Sequence, residues 1–193
     1  ALAYPDAYDI GMSNMGIGIL YDILNKVDDI ACERTFPPWE DMEAEIRREK
    51  VPLWSLETRT PIKDFDVLGF TLQYEMTYTN VLNMLDLSGI PVWARDRTDE
   101  HPLVIAGGSG AFNPEPLAPF IDAFVLGEGE DAIVELVDLM RDWKRDRVPR
   151  AQLARSWARA LAVQRVPDPD RHRDAAAAHA TALREREGGR RGA

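Results

Sequence analysis

Along residues 1–146 two hydrophobic rhythms take turns, short unbroken apolar runs and stripes spaced at the helical period. Leu2 to Tyr4 is a first strand. Ile17, Leu20, Tyr21 and Leu24 then share one helical face, with Ser13 placed to cap that helix. Ile30 to Phe36 is a second strand, closed by Pro37-Pro38, and Trp39 to Glu49 a weaker helix with Trp39, Met42 and Ile46 facing inward. Leu53 to Leu56 is a short strand whose neighbour Pro52 suits an edge. Val67 to Thr71 is apolar on both faces, as a central strand should be. A stripe of Tyr78, Val81, Leu82 and Leu85 ends at Gly89. Leu103 to Ala106 runs into Gly107-Gly108, and Ala123 to Leu126 into Gly127. A last helix, Asp131 to Trp143, buries Ile133, Leu136, Val137 and Met140.

Five strands separated by helices predict an α/β domain: a flavodoxin-like (Rossmann-like), doubly wound, mostly parallel five-stranded sheet. The rhythm is lost in residues 147–193, an Arg- and Ala-rich stretch without Lys, Ile, Phe, Tyr or Met. Ala175 to Ala178 favour helix, yet no stripe there is apolar enough for a second core. The expectation is a helical or disordered tail. Either it is a solvated linker, or the reading frame departs there from its parent gene.

Composition sharpens this in two respects. Residues 1–146 carry 12 Lys and Arg against 28 Asp and Glu, whereas residues 147–193 carry 11 Arg against 5 acids. So acidic a body repels a phosphate backbone, which makes nucleic acid an unsuitable partner. The tail lacks interleaved aromatics apart from Trp157. No apolar run approaches the roughly 20 residues of a membrane span, and no basic leader precedes an apolar segment. A single cysteine, Cys32, excludes an internal disulfide and reads as a buried apolar residue. A cytoplasmic location follows as the default. The opening Ala1-Leu2-Ala3-Tyr4-Pro5, without Met, reads as a fragment or a processed chain.

In a doubly wound sheet ligands bind beyond the C-terminal strand ends. The first loop there, Pro5 to Gly16, has Gly11 for close backbone approach to a ligand or a positive-φ turn, but lacks the Lys-Ser/Thr of a phosphate loop. Tyr21 stands where a dinucleotide fingerprint needs its third glycine. The loop Thr71 to Asn80 offers hydroxyls and an amide at a helix start, through Gln73, Thr77 and Thr79; capping explains part of that pattern. Gly107-Gly108-Ser109-Gly110 leaves the backbone bare beside a buried strand. Gly127-Glu128-Gly129-Glu130-Asp131 opens the last helix with acids that complement its dipole and repel phosphate. His101, His172 and His179 form no ligand cluster. Asp170-Arg171-His172-Arg173-Asp174-Ala175 has Ala where the Asp-x-His-x-x-Gly motif of cobalamin-dependent mutases needs Gly, and it lies in the tail.

Together Gly107-Gly108, Asn113-Pro114-Glu115, Asp122 and Gly127-Glu128-Gly129-Glu130 resemble the signature of the N-terminal cobalamin-binding-type domain of radical SAM proteins. The stretches Pro5 to Gly16 and Leu72 to Met84 are similar to an uncharacterised bacterial branch of that family. The resemblance covers residues 1–146, with 147–193 a tail or linker. It implies a corrinoid (cobalamin) site lined by Met12, Ser13, Gln73, Tyr74, Gly107, Gly108, Gly127 and Glu128. It also implies a following radical SAM barrel, whose Cys-x3-Cys-x2-Cys set holds a [4Fe–4S] cluster that cleaves S-adenosylmethionine. This sequence has no such set, so the chain is not expected to be catalytic alone. The alternative is a non-catalytic scaffold that docks a barrel or partner through exposed Trp39, Trp54 and Trp93 without a cofactor. Flavin mononucleotide is a third reading, opposed by a first loop without a phosphate cradle.

Overall fold

The computed structural model describes residues 1–146 and 163–164. The core is a parallel sheet of β1 (Leu2–Ala3), β2 (Arg34–Thr35), β3 (Val67–Thr71), β4 (Leu103–Gly107) and β5 (Ala123–Val125). Their spatial order is β2-β1-β3-β4-β5, the flavodoxin order, and β6 (Val163–Gln164) pairs antiparallel with β5. That pairing brings two residues of the Arg/Ala-rich stretch to the sheet edge; the rest of 147–193 lies outside the described residues. Among the described residues five α-helices complete the fold: α1 (Tyr8–Ser13), α2 (Met15–Asn25), α3 (Glu40–Glu49), α4 (Tyr78–Leu87) and α5 (Gly129–Asp146).

Alternation along the strands assigns the two faces. Ala3, Phe70, Ala106 and Phe124 point toward α3 and α4, where they join Val81, Met84 and Leu85 in one buried cluster. Leu2, Gly69, Ile105 and Ala123 stand in register on the other face, under α2 and α5. Packing there divides in two. Leu2, Tyr4, Ile17, Leu24 and Phe36 form one cluster with Val137, while Leu103, Ile105, Ala123, Leu136 and Met140 form another. Gly69, without a side chain, lies between the strands that supply them.

Several expected elements change shape. The second strand shrinks to Arg34–Thr35 because its partner β1 has two residues, and after Tyr4 donates to the Thr35 carbonyl the chain reaches Pro5, which has no N–H to donate. Leu53 to Leu56 is no strand: one bridge joins Trp54 to Pro61 around a turn with Arg59 left-handed, and Leu56 N–H donates to the Arg34 carbonyl. The segment therefore covers the edge of β2. Asn14, not Ser13, caps α2 by accepting from Ile17 N–H at 3.1 Å; Ser13 is the last residue of α1 and donates to the Ile10 carbonyl. In α3 only Ile46 is buried, and Trp39 is 68% and Met42 47% exposed. That helix docks on α4 through polar groups, with Arg47 donating to Asp86 and Asn83, and Asn83 donating to Glu43.

Cys32 is buried, as expected. Of the tryptophans on the acidic body, Trp93 is exposed but Trp54 packs against the core. Among the described residues no helix is long and apolar enough to cross a membrane.

Candidate functional site

Sequence-local chemistry shapes the C-terminal edge of the sheet. Beyond β3, Leu72 N–H donates to the Gly107 carbonyl, and Gly110 N–H returns to the Leu72 carbonyl at 3.0 Å. The Tyr78 hydroxyl lies 2.8 Å from the Gly110 carbonyl, and Ser109 Oγ donates to the Gln73 carbonyl. The β3 and β4 loops are thus stitched together. Gly108 has φ +94°, and a Cβ there would lie 2.5 Å from the Leu72 carbonyl oxygen. Its glycine is demanded by the protein's own backbone.

The β1 and β3 loops are tied in the same manner. Asn80 Nδ2 donates to the Pro5 carbonyl at 2.9 Å, and the Tyr74 hydroxyl donates to Asp6. That carboxylate raises the Tyr74 pKa. Burial, reinforced by Asp6, raises that of Tyr4. Both phenols therefore stay protonated at neutral pH.

Between these loops and helices α2 and α5 opens a cavity of about 180 Å³. Leu2, Gly69 and Ile105 make its floor, Gly107, Gly108 and Gly127 its strand-end wall, and Gly16, Leu20, Gly129 and Ile133 its helical wall. Thr71, Gln73 and Glu130 add polar groups. Most of these glycines have room for a side chain. A Cβ at Gly69 would sit 3.5 Å from Ile105, at Gly107 3.5 Å from Val125, and at Gly129 3.5 Å from Leu20, all ordinary contacts. Near Gly127 nothing lies within 4 Å, although its φ of +104° favours glycine. Packing forbids a side chain at Gly108 but not at Gly69, Gly107 or Gly129. What those glycines keep is the empty space.

Of the residues expected to line a site, Gln73, Gly107, Gly108 and Gly127 border this cavity. Met12 and Ser13 lie on α1 with exposed side chains, outside the lining. Tyr74 is turned to Asp6 beside the mouth. Glu128 is exposed next to Gly127, and Glu130 of the first α5 turn enters the lining instead. Sequence reasoning missed Gly16, Gly69 and Ile133 as wall residues. Gly69 carried a usable signal, since glycine inside a buried strand marks a close approach. Asp122, part of the resemblance, has a structural partner: its carboxylate takes Val104 N–H and pairs with Arg97, whose side chain is completely buried.

Exposed apolar side chains also occur in the segments that follow these strands: Ile10, Met12 and Met15 after β1, Met76 after β3, and Phe112 after β4. Among the described residues no three His, Cys, Asp or Glu side chains converge as metal ligands.

The strand order and the cavity position define a flavodoxin-like α/β domain with a glycine-walled pocket at the C-terminal edge of its sheet. A family model described as "Radical SAM proteins, N-terminal" matches residues 16–167, and the chain belongs to that family of radical SAM N-terminal domains. The matched span includes β6. The uncharacterised protein MJ0966 of Methanocaldococcus jannaschii is 27% identical over 142 residues, covering 72% of this chain and 26% of the relative. The chain thus spans about a quarter of the length of that relative. No solved structure matches the chain significantly.

Proposed function

We propose that this domain binds a corrinoid at the C-terminal edge of its sheet and presents it to the catalytic barrel of a radical SAM protein. The observation that carries the reading is the set of cavity glycines, Gly69, Gly107 and Gly129, whose missing side chains the protein's own packing does not require. The residues fit such a group in three respects. The glycine walls admit the narrow part of a large ligand. Thr71, Gln73 and Glu130 offer hydrogen-bonding groups at the cavity. The exposed Met12, Met15, Met76 and Phe112 supply apolar surface against which a flat macrocycle can lie.

When bound, a corrinoid supplies a cobalt centre that carries a methyl group or passes an electron. The chain's own part is to hold and orient it. Among the described residues His101 is the only imidazole, and it sits in the loop before β4, at the opposite end of the sheet, accepting from Thr98 N–H. The cobalt would therefore be held without a protein imidazole from these residues. S-adenosylmethionine and the [4Fe–4S] cluster belong to the partner barrel, because Cys32 alone cannot ligate a cluster. The α/β domain is then the cofactor-bearing unit, with β6 of the Arg/Ala-rich stretch at its sheet edge.

The test is an absorbance spectrum after incubation with hydroxocobalamin and desalting. About one equivalent of corrinoid should remain on the wild-type chain and be lost from Gly69→Val, whose side chain enters the cavity floor. A wild-type chain that retains none, or a Gly69→Val variant that retains it fully, rejects the reading. Gly108 is unsuited to this purpose, since any side chain there collides with the Leu72 carbonyl.

A further inference from the structure

Three polar side chains border the cavity at the C-terminal edge of the sheet: Thr71, Gln73 and Glu130. Thr71 ends β3 and follows the alternation that turns Gly69 toward α2 and α5. Gln73 lies two residues further on, with its carbonyl held by Ser109 Oγ. Glu130 comes from the helical side, in the first turn of α5. Other polar side chains of these loops are spent on the protein itself. Asp6 accepts from Tyr74 and from Ala7 N–H, Asn80 donates to the Pro5 carbonyl, and Tyr78 donates to the Gly110 carbonyl. Among the described residues the side chains of Thr71, Gln73 and Glu130 have no hydrogen-bond or ion-pair partner.

The chemistry of the three narrows what can satisfy them. Among the described lining residues Glu130 alone is charged. A helix start by itself draws anions, and a carboxylate standing at the cavity reverses that preference. A carboxylate only accepts hydrogen bonds, so its partner must donate, whereas the Thr71 hydroxyl and the Gln73 amide can donate or accept. A primary carboxamide meets all three. Its NH2 donates to Glu130 while its carbonyl accepts from Thr71 or Gln73. The same group as a carboxylate would face Glu130 with acceptors alone.

We propose that Glu130 is a specificity-determining residue of the corrinoid site, taking a carboxamide arm of the macrocycle and rejecting that arm as a carboxylate. The assignment rests on the corrinoid reading and adds the part of the ligand that the cavity recognises. A cavity of about 180 Å³ is smaller than the roughly 300 Å³ at which small-molecule sites begin, so it holds an arm and not the ring. Carboxamide arms line the periphery of a corrinoid, within reach of a wall that the ring itself does not enter.

Equilibrium dialysis of the whole chain, read by absorbance, compares hydroxocobalamin with its isomeric side-arm monocarboxylic acids, each with one carboxamide hydrolysed. At least one isomer should bind about tenfold or more weakly than hydroxocobalamin. Glu130→Gln keeps the side-chain shape and an acceptor. It should bind hydroxocobalamin within about threefold of wild type and bring the rejected isomer within about threefold of the amide. Asp131→Asn removes the same charge from the same helical turn, at an exposed position outside the lining, and should leave the discrimination intact. That variant separates recognition at Glu130 from general repulsion by the acidic body and from the helix dipole. Discrimination that survives Glu130→Gln, or that Asp131→Asn abolishes to the same extent, overturns the assignment. A wild-type chain that binds hydroxocobalamin and every acid alike fails this assignment alone, whereas one that binds no corrinoid fails the corrinoid reading together with it.

Discussion

Glycine at Gly11 and glycine at Gly18 do opposite things to this molecule. A Cβ at Gly11 would lie 2.3 Å from the Phe36 ring, which also makes a T-shaped contact with Tyr8, whereas a Cβ at Gly18 meets nothing within 4 Å. Gly11→Ala should therefore lower stability by more than about 1 kcal/mol, and Gly18→Ala, in an exposed helix turn, should raise it by about 0.4–1 kcal/mol. Urea midpoints of the two variants check both signs. The sequence offered Gly11 for close approach to a ligand or for a positive-φ turn; the space is instead taken by the Phe36 ring, from 25 positions further along and out of reach of any local pattern. Cys32 gives a third expectation. Burial pushes its pKa up to about 11 from the usual 9, so the folded state holds its proton longer than the unfolded state. The stabilising contribution is complete below about pH 9 and is lost as pH rises through about 11. Alkylation by iodoacetamide at pH 8 should accordingly run about a hundredfold slower than for a free cysteine, and Cys32 labelling at that rate or faster contradicts the burial.

At the scale of elements, the periodic signals were legible and the pairings were not. Helices α2, α4 and α5 follow their stripes because each buries apolar residues on a sheet face: Ile17 and Leu24; Val81 and Leu85; Leu136, Val137 and Met140. The expectation failed for α3, where Trp39 and Met42 sit at inward spacing but Glu43, Arg47, Asn83 and Asp86 decide the docking. A pattern read in apolar residues cannot register an interface made of ion pairs. The run Ile30 to Phe36 overstated β2 for a related reason, since strand length is set by the partner as well as by the segment. The loop between α4 and β4 depends on one residue. Arg97 donates to the carbonyls of Pro91, Val92 and Phe120 and pairs with Asp122 at 3.2 Å. Arg97→Met strands three carbonyls and a carboxylate and should cost about 3–5 kcal/mol in chemical denaturation. Arg97→Lys should recover little of that, because an ammonium cannot reproduce the planar fork.

For the whole molecule, the two faces of the sheet are built to different standards. The α3/α4 side is one continuous buried cluster, whereas the α2/α5 side is split, with two cavities in the gap: the one at the C-terminal edge and another of about 470 Å³ toward the N-terminal strand ends. The flavodoxin order was legible because five apolar runs alternating with helices leave few chain paths. The gap was not, because a missing side chain becomes space only once the neighbouring strands and helices are placed around it. Gly69→Val puts a β-branched residue into a central strand with ordinary contacts to Ile105 and Leu2. It should raise the urea midpoint and, on the proposed corrinoid reading, abolish retention, so that stability and binding move in opposite directions. Leu2, Gly69, Ile105 and Ile133 border both cavities, and this shared partition has a thermodynamic consequence. An occupant of one chamber that displaces Ile105 or Ile133 changes the free energy of filling the other, and by linkage the effect is reciprocal.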